Sequence, residues 1–319
     1  MAHHLSSGII SAAVLPFENN GAIDWKTLER YMLEVAEGGP KAIAMNMDAS
    51  EGYSLSLDEQ IEVTSFVAKT LKGTGVTMMS GLLTSYTAQA ADHARRLVDA
   101  GAESIAIFPP LPIFSGAPSR QMVREYHQAV IDAVDVPLVA FQVQPGHVNY
   151  PEGTIVDFSD MGFVAMKEAT FDVSRTRLSV MEAATASRKI GILTGSDTFI
   201  LEAMLIGCDG ALIGFAAAFT REIVRMQQFA EKGDVAAAYE IWDSIGPMAR
   251  FGWATPIREY RVRMKYLLEV QGVLPNSHVR SPAMPIPAED RAFIENLADR
   301  YGYRDARWMP SGKALRKAA

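Results

Sequence analysis

The sequence predicts a (β/α)8 barrel, or TIM barrel, in which eight parallel strands alternate with eight helices. Short apolar segments alternate with amphipathic segments between residues 8 and 232, close to the roughly 250 residues typical of such a barrel. Short apolar strands between amphipathic helices are typical of a parallel sheet that helices cover. An open doubly wound sheet is the alternative. No Gly-x-Gly-x-x-Gly motif follows the first apolar segment, which counts against that alternative.

Apolar spacing and boundary residues predict each element of the barrel. Asp24 and Thr87 precede apolar residues at helical spacing, and we expect each to cap its helix. The predicted strands cover residues 8–17, 41–47, 76–80, 104–108, 137–143, 163–166, 191–194 and 210–213. The predicted helices between them cover residues 24–36, 57–71, 87–100, 119–133, 153–159, 173–186, 198–206 and 220–232.

After the eighth helix the alternation stops. Three amphipathic segments, 235–248, 256–270 and 288–300, predict helices with no strands between them, and the segment 274–287 holds four prolines that require an extended chain. The sequence therefore divides into a barrel over residues 8–232, a helical region over 233–303 and a flexible tail over 304–319.

Composition excludes several classes of function. The chain has 319 residues, a formal net charge of −7 and no run of basic residues, so we expect no nucleic-acid partner. No apolar segment is long enough to span a membrane, which predicts no membrane partner. The single cysteine, Cys208, rules out an internal disulfide and fits a reducing compartment, so we expect a cytoplasmic protein.

The most informative stretch is residues 163–170, which read FVAMKEAT. Lys167 follows four apolar residues and is expected at or near the C-terminal end of the sixth strand, the face of the barrel where active sites lie. Burial disfavours the ammonium and lowers the pKa of a lysine, and a neutral amine can attack a carbonyl to form a Schiff base. A strand-end lysine whose amine simply reaches solvent is the alternative.

Several stretches resemble the dihydrodipicolinate synthase / N-acetylneuraminate lyase family of class I, Schiff-base aldolases. They are GIISAAVLPF, SEGYSLSLDEQ, FVAMKEAT, GSDTFILEAMLIGCDGALIGFAA and VRSPAMPI, in the family's order over about residues 8 to 300. The resemblance implies Lys167 as the Schiff-base residue, a small carbonyl compound as substrate and no cofactor beyond the lysine imine. It also implies a homo-oligomer, a dimer or tetramer, to which Leu111, Ile113 and Phe114 could contribute.

The chain departs from the family pattern at the positions that handle the substrate. Asp48 and Ala49 occupy the place of two threonines that hold the 2-oxo acid carboxylate, and Phe141 replaces a tyrosine that relays protons. His147 aligns near an arginine that holds the second substrate's carboxylate. The resemblance with these changes implies a divergent member that does not act as a dihydrodipicolinate synthase.

Other residues at the expected strand ends are candidate substrate contacts. Asp48 or His147 could move protons in place of the missing tyrosine, or each could be a solvated loop residue. Glu51 is as well explained by a structural role as by a functional one, and Glu168 is expected to face the outer helices. The remaining candidates are Ala49, Ser50, Gly195, Asp197 and Gly214, with Tyr53, Tyr86 or Tyr150 as possible sources of a hydroxyl.

Two functions remain open at this point. The first is a lyase, an aldolase or dehydratase, that forms an imine between Lys167 and a 2-oxo acid or related carbonyl compound. The second is a barrel that has lost aldolase chemistry and binds a small molecule, or catalyses a hydratase or deaminase reaction. The histidines show no HxH or HExxH spacing and there is no CxxC, so no metal site is predicted.

Overall fold

The computed structural model describes residues 3–143 and 150–304 and contains a closed barrel of eight parallel strands in sequential order. The first strand pairs with the second and with the eighth, which closes the sheet. This arrangement confirms the predicted (β/α)8 barrel. The strands are β1 (Gly8–Ala12), β2 (Ala42–Met45), β3 (Thr77–Leu82), β4 (Ser104–Ile107), β5 (Leu138–Val143), β6 (Ala165–Ala169), β7 (Gly191–Thr194) and β8 (Gly210–Ile213).

The helices lie between the strands and continue after the last one. They are α1 (Trp25–Glu37), α2 (Leu57–Thr70), α3 (Thr87–Asp99), α4 (Leu111–Phe114), α5 (Arg120–Ile131), α6 (Thr154–Met161), α7 (Val173–Ala183), α8 (Ile200–Leu205), α9 (Thr220–Glu231), α10 (Val235–Gly252), α11 (Tyr260–Val270) and α12 (Ala288–Tyr301). No helix within the described ranges is both long and apolar enough to cross a membrane.

The strands are apolar because both of their faces are buried. Every residue of β2, β4, β7 and β8 is buried, with one set of side chains filling the barrel and the other packing under the helices. Glu168 on β6 is buried like its neighbours, but it is charged instead of apolar. As expected, it faces the outer helices, where it accepts hydrogen bonds of 2.7 Å from Gln142 of β5 and Ser179 of α7. These partners satisfy a carboxylate that is fully buried.

The structure corrects several predicted boundaries. The first strand ends at Ala12 instead of residue 17, and the sixth covers Ala165–Ala169 instead of 163–166. The sixth strand starts later because the N–H of Phe163 still bonds to Phe158 at the end of α6. Lys167 therefore lies in the middle of β6 and pairs in register with Phe141 and Leu193.

Helix capping was predicted correctly at one position and wrongly at another. Asp24 caps α1 and accepts a 3.0 Å hydrogen bond from the N–H of Thr27. Thr87 is the first residue of α3 and not its cap, because the N-cap position falls on Tyr86. The short helix α4 was not predicted, and α11 begins at Tyr260, after a 3-10 turn, instead of at residue 256.

The three helices after the barrel match the predicted helical region in number and order. α10 extends to Gly252, four residues beyond its predicted end. The predicted division into barrel and helical region stays a prediction, and the predicted tail lies outside the described residues from residue 305 onward. Cys208 is buried, and burial raises the pKa of its thiol to about 12. Such a thiol is a poor nucleophile at neutral pH.

Candidate active site

A cavity of about 380 Å³ opens at the C-terminal ends of the strands. Its walls come from the last residues of strands, from the loops that follow them and from the start of α11. The charged side chains that line it are Asp48, Lys167, Asp197, Arg258 and Arg261. The aromatic side chains that line it are Tyr53, Phe108, Phe141, Phe171, Trp253 and Tyr260. The cavity lies where (β/α)8 barrels place their active sites.

Lys167 projects from β6 into this cavity. Its side chain is partly buried, and its Nζ atom lies 4.1 Å from the centroid of the Phe141 ring on the adjacent strand. Strand pairing between β5 and β6 sets these two residues side by side. The amine is therefore surrounded by protein on several sides while its end faces an open space large enough for a ligand.

Burial lowers the pKa of Lys167 to about 8, and the carboxylates of Asp197 and Asp48 partly oppose that shift. The ordinary pKa of a lysine is about 10.4. At pH 7 roughly a tenth of the amine is therefore neutral, against well under a thousandth for an ordinary lysine. The neutral amine is the form that attacks a carbonyl carbon.

Asp197 is the second buried ionisable group of the cavity and is 1% exposed. Its carboxylate accepts hydrogen bonds from the N–H of Phe215 at 2.9 Å and from the indole N–H of Trp253 at 2.6 Å. Burial still raises its pKa to about 6, since the two bonds and the charge of Lys167 only partly compensate for desolvation. Asp197 is thus largely charged at neutral pH and lies close enough to favour the ammonium form of Lys167.

Two groups of aromatic rings line the cavity that contains Lys167. Phe108 packs edge to face on Phe141 at 4.4 Å between ring centroids, and Trp253 lies at the same distance from Phe171 and from Tyr260. Phe171 has a φ of 56°, a left-handed conformation that costs free energy for a bulky side chain. Such local strain is characteristic of functional sites, where the surrounding structure holds it in place.

Asp48 lines the cavity and forms an ion pair with Arg261 of α11. The Nε of Arg261 also donates a 2.9 Å hydrogen bond to the Asp48 carbonyl oxygen. The loop after β2 is therefore attached to the C-terminal helical region through both the backbone and the side chain of Asp48. The guanidinium also offsets the negative charge that Asp48 brings to the cavity.

Ser50 and Glu51 are not among the residues that line the cavity. Ser50 donates a 2.7 Å hydrogen bond to the carbonyl of Ala13. Glu51 is 3% exposed, forms an ion pair with Lys265 of α11 and accepts a 3.0 Å hydrogen bond from the N–H of Arg280. These contacts support a structural role for Glu51. Its partners are a lysine and a backbone N–H that are distant in sequence, and not the N–H groups of the helix that follows it.

The two predicted glycines make room for other side chains of the site. A Cβ atom on Gly195 would lie 2.6 Å from Cε of Lys167 and 2.6 Å from Cβ of Ala169. A Cβ atom on Gly214 would clash with the hydroxyl of Tyr260 and lie 3.1 Å from Cβ of Ala49. Real Cβ atoms do not approach other atoms this closely, so any larger residue at either position would displace its neighbours.

Among the tyrosines proposed from sequence, only Tyr53 reaches the cavity. Tyr86 is 60% exposed, and the hydroxyl of Tyr150 donates a 3.0 Å hydrogen bond to the carbonyl of Phe141. Sequence reasoning missed the lining residues Trp253, Arg258, Tyr260 and Arg261 of the C-terminal helical region, because no local pattern shows that this region reaches the mouth of the barrel. It also missed Phe108 and Phe171 at the barrel strand ends, because a single aromatic residue there does not differ from a core residue. His147 lies outside the described residues.

The described ranges contain no group of three or more His, Cys, Asp or Glu side chains arranged to hold a metal ion. The chemical groups that the cavity does offer are one amine, two carboxylates, two guanidinium groups and the hydroxyls of two tyrosines. Together they define the class of site: a barrel-mouth lysine of lowered pKa in an aromatic cavity.

Comparison with known proteins agrees with this class. The Dihydrodipicolinate synthetase family model matches residues 5–300, and the chain belongs to that family. It is 25% identical over 301 residues to an uncharacterized DapA-like lyase of Thermofilum pendens, covering 93% of this chain and 98% of the relative. It is 28% identical over 273 residues to a 4-hydroxy-tetrahydrodipicolinate synthase of Thioalkalivibrio sulfidiphilus, covering 84% and 88%.

The fold is also shared with solved structures. The chloride-inhibited dihydrodipicolinate synthase of Acinetobacter baumannii, complexed with pyruvate, superposes with a TM-score of 0.84 at 22% identity and covers 93% of this chain and 99% of its own. At this identity the likeness concerns the fold. The chain is a divergent member of its family, as the substitutions at residues 48, 49 and 141 led us to expect.

Proposed function

We propose that the protein is a Schiff-base-forming lyase, an aldolase or dehydratase, that acts through Lys167 on a 2-oxo acid or related carbonyl compound. The observation that carries the proposal is the amine of Lys167, which faces a ligand-sized cavity and whose pKa is lowered to about 8 by burial. Membership in the family supports it, and so does the pyruvate bound by a structural neighbour.

The proposed chemistry follows from the neutral amine. Nζ of Lys167 attacks the carbonyl carbon, and loss of water gives an imine that is positively charged when protonated. In an aldolase, this iminium accepts the electrons of the neighbouring carbon–carbon bond: the hydroxyl of the departing fragment loses its proton to solvent, the fragment leaves as a carbonyl compound, and the enamine that remains takes up a proton on carbon. In a dehydratase, the iminium instead promotes loss of the adjacent C–H proton, and the enamine so formed expels the hydroxyl group, which leaves with a proton as water. Hydrolysis then returns the free amine and releases the product. Asp197, whose charge acts on Lys167, would help hold the iminium in its charged form.

Asp48, Ala49, Gly195, Asp197 and Gly214 remain proposed substrate contacts because they line the same cavity as Lys167. We also propose that the substrate carries an apolar or aromatic group, because such a group would pack against the aromatic rings that line the cavity. A dihydrodipicolinate synthase activity is not part of the proposal, since Phe141 has no hydroxyl with which to relay a proton.

The alternative function is a barrel that has lost aldolase chemistry and binds a small molecule without turnover, or that catalyses a hydratase or deaminase reaction. Phe141 favours it, because its ring takes the space next to Lys167 and offers neither donor nor acceptor. Formation of an adduct on Lys167 without turnover would support the binding form of this alternative. A homo-oligomeric assembly and a cytoplasmic location also remain predictions.

Borohydride trapping tests the proposal. The protein is incubated with pyruvate, phenylpyruvate, other 2-oxo acids and sugar acids, reduced, and measured by intact mass. We expect an added mass equal to the reduced imine of at least one compound and no added mass in Lys167→Met. No adduct across the panel, with a pyruvate-using family member labelled in parallel, would contradict the proposal.

A further inference from the structure

The hydroxyl of Tyr260 is a buried polar group that makes no hydrogen bond of ordinary geometry with the described residues, because the neighbouring indole N–H of Trp253 donates to Asp197 instead. The side chain is 3% exposed and lines the same cavity as Lys167. A buried hydroxyl that makes no hydrogen bond costs free energy, so such groups need an explanation. A hydroxyl in the wall of a cavity can be satisfied by a molecule that enters the cavity and displaces its neighbours slightly.

The surrounding structure holds the Tyr260 ring in one place. The ring stacks on Trp253, with 4.4 Å between centroids and 30° between the planes. Tyr260 is also the first residue of α11, which fixes its backbone. Its hydroxyl occupies the space that a Cβ on Gly214 would fill, and Cβ of Ala49 lies 3.1 Å from that same point. The hydroxyl and the Ala49 methyl group therefore border one small region of the cavity.

The electrostatic surroundings make Tyr260 a permanent donor. Burial, and then the nearby carboxylates of Asp197 and Asp48, raise the pKa of its phenol well above the ordinary value. The group therefore keeps its proton at all physiological pH values, which suits a hydrogen-bond donor and does not suit a proton relay.

The two carboxylates near Tyr260, those of Asp48 and Asp197, already have partners in the protein. Asp48 is paired with Arg261, and both oxygens of Asp197 already accept N–H groups from the protein. With Lys167 protonated, or converted to an iminium, the cavity gains a positive charge that no carboxylate contacts directly within the described bonds and ion pairs. The side chains that line the cavity then carry three positive charges, on Lys167, Arg258 and Arg261, against two negative charges, on Asp48 and Asp197. An anionic oxygen acceptor beside Tyr260 would balance the third positive charge.

We propose that the Tyr260 hydroxyl donates the hydrogen bond that holds the carboxylate group of the substrate, in the region bordered by Ala49 and Gly214. The proposal rests on the proposed function for the identity of the substrate as an oxo acid. It assigns the binding of the acid group to the C-terminal helical region, while the amine that reacts comes from the barrel. Tyr260 would then set specificity for carbonyl compounds that carry an acid group.

Equilibrium binding tests this without any imine chemistry. Calorimetry would measure 3-phenylpropanoate, which has a ring and a carboxylate but no carbonyl to react, and ethylbenzene, which lacks the carboxylate. We expect Tyr260→Phe to weaken 3-phenylpropanoate binding about tenfold to a hundredfold, the usual range for a lost hydrogen bond to a charged group. Ethylbenzene binding should be unchanged.

Tyr266→Phe is the matched control, because Tyr266 lies on the same helix and its hydroxyl bonds to Glu295 away from the cavity. It should bind both compounds as the unchanged protein does. Adding Ala49→Thr to Tyr260→Phe should restore at least part of the carboxylate affinity, since it returns a hydroxyl to the same region. A thermal melt of each variant shows that it is folded.

Unchanged 3-phenylpropanoate binding in Tyr260→Phe, or no binding by the unchanged protein, would overturn the assignment. If the added Ala49→Thr does not restore affinity, the claim that Tyr260 and residue 49 border the same binding region is wrong. Absence of a borohydride adduct is a separate result. It would contradict imine chemistry at Lys167 and leave the calorimetric result for Tyr260 in force.

Discussion

Two lysines of the chain are shielded from water but have different roles. Burial lowers the pKa of both Lys167 and Lys265. Lys265 is fully buried, forms an ion pair with Glu51 and donates a 2.8 Å hydrogen bond to the carbonyl of His278. Lys167 instead ends in the cavity, beside the face of Phe141.

The difference teaches that a lowered pKa does not by itself identify a reactive lysine. The protein uses the hydrogen-bonding capacity of Lys265 to fix the loop after β2 against α11, so its nitrogen cannot approach a substrate. The nitrogen of Lys167 has an open side, and that open side makes imine chemistry possible. Position and contacts, taken together with the pKa, separate the structural amine from the reactive one.

The largest expected effect concerns Lys265. Lys265→Met leaves the buried carboxylate of Glu51 without its ion-pair partner, and breaking a buried pair costs about 3–5 kcal/mol of unfolding free energy. Urea unfolding measures this loss, with Lys167→Met as the matched variant that should lose little or none. Adding Glu51→Gln to Lys265→Met should recover most of the loss. Equal stability of the two single variants would contradict the structural role of Lys265.

A glycine beside Lys167 gives the next largest effect. Gly195→Ala places a Cβ 2.6 Å from Cε of Lys167 and from Cβ of Ala169, so the lysine must move. Displacement of a reacting group by about 1 Å can cost about a hundredfold in rate, and we expect that order of loss in the rate of borohydride trapping. Gly116→Ala, where a Cβ meets open space, is the control and should trap normally. Normal trapping by Gly195→Ala would contradict the placement of the amine.

The smallest expected effect concerns the pH dependence of the reaction rate of Lys167. Because its pKa is about 8, the neutral amine increases about tenfold per pH unit below pH 8 and levels off above it. The rate of acetylation of Lys167 by acetic anhydride, followed by peptide mass, should show that profile. Asp48 favours the ammonium, so Asp48→Asn should move the midpoint to lower pH, by roughly a few tenths of a pH unit. A midpoint near the ordinary 10.4 would contradict burial of the amine.

Much of the fold could be predicted because the barrel repeats one local pattern. Buried parallel strands are short apolar runs, and the eight runs fixed the topology even where their limits were wrong by several residues. The sixth strand was placed too early because Glu168 does not look like a strand residue in isolation. Its partners, Gln142 and Ser179, lie 26 and 11 residues away and cannot be recognised as partners from spacing.

The candidate site could be predicted only in part. Lys167, Asp48, Asp197, Gly195 and Gly214 were found because barrel topology brings the ends of all strands to one face. The aromatic and cationic residues contributed by the C-terminal helical region were missed, because periodicity predicts a helix but not the surface on which it packs. For the same reason the ion pair of Glu51, which spans 214 positions, has no local signal.

Peptide mapping of both lysines after one trapping reaction tests the central claim most directly. The protein is incubated with the best carbonyl compound from the panel, reduced with borohydride, digested, and the peptides that contain Lys167 and Lys265 are quantified together. We predict that the reduced adduct lies on Lys167 and that the Lys265 peptide remains unmodified. An adduct on Lys265, or equal modification of the two lysines, would contradict the assignment of Lys167 as the reactive amine.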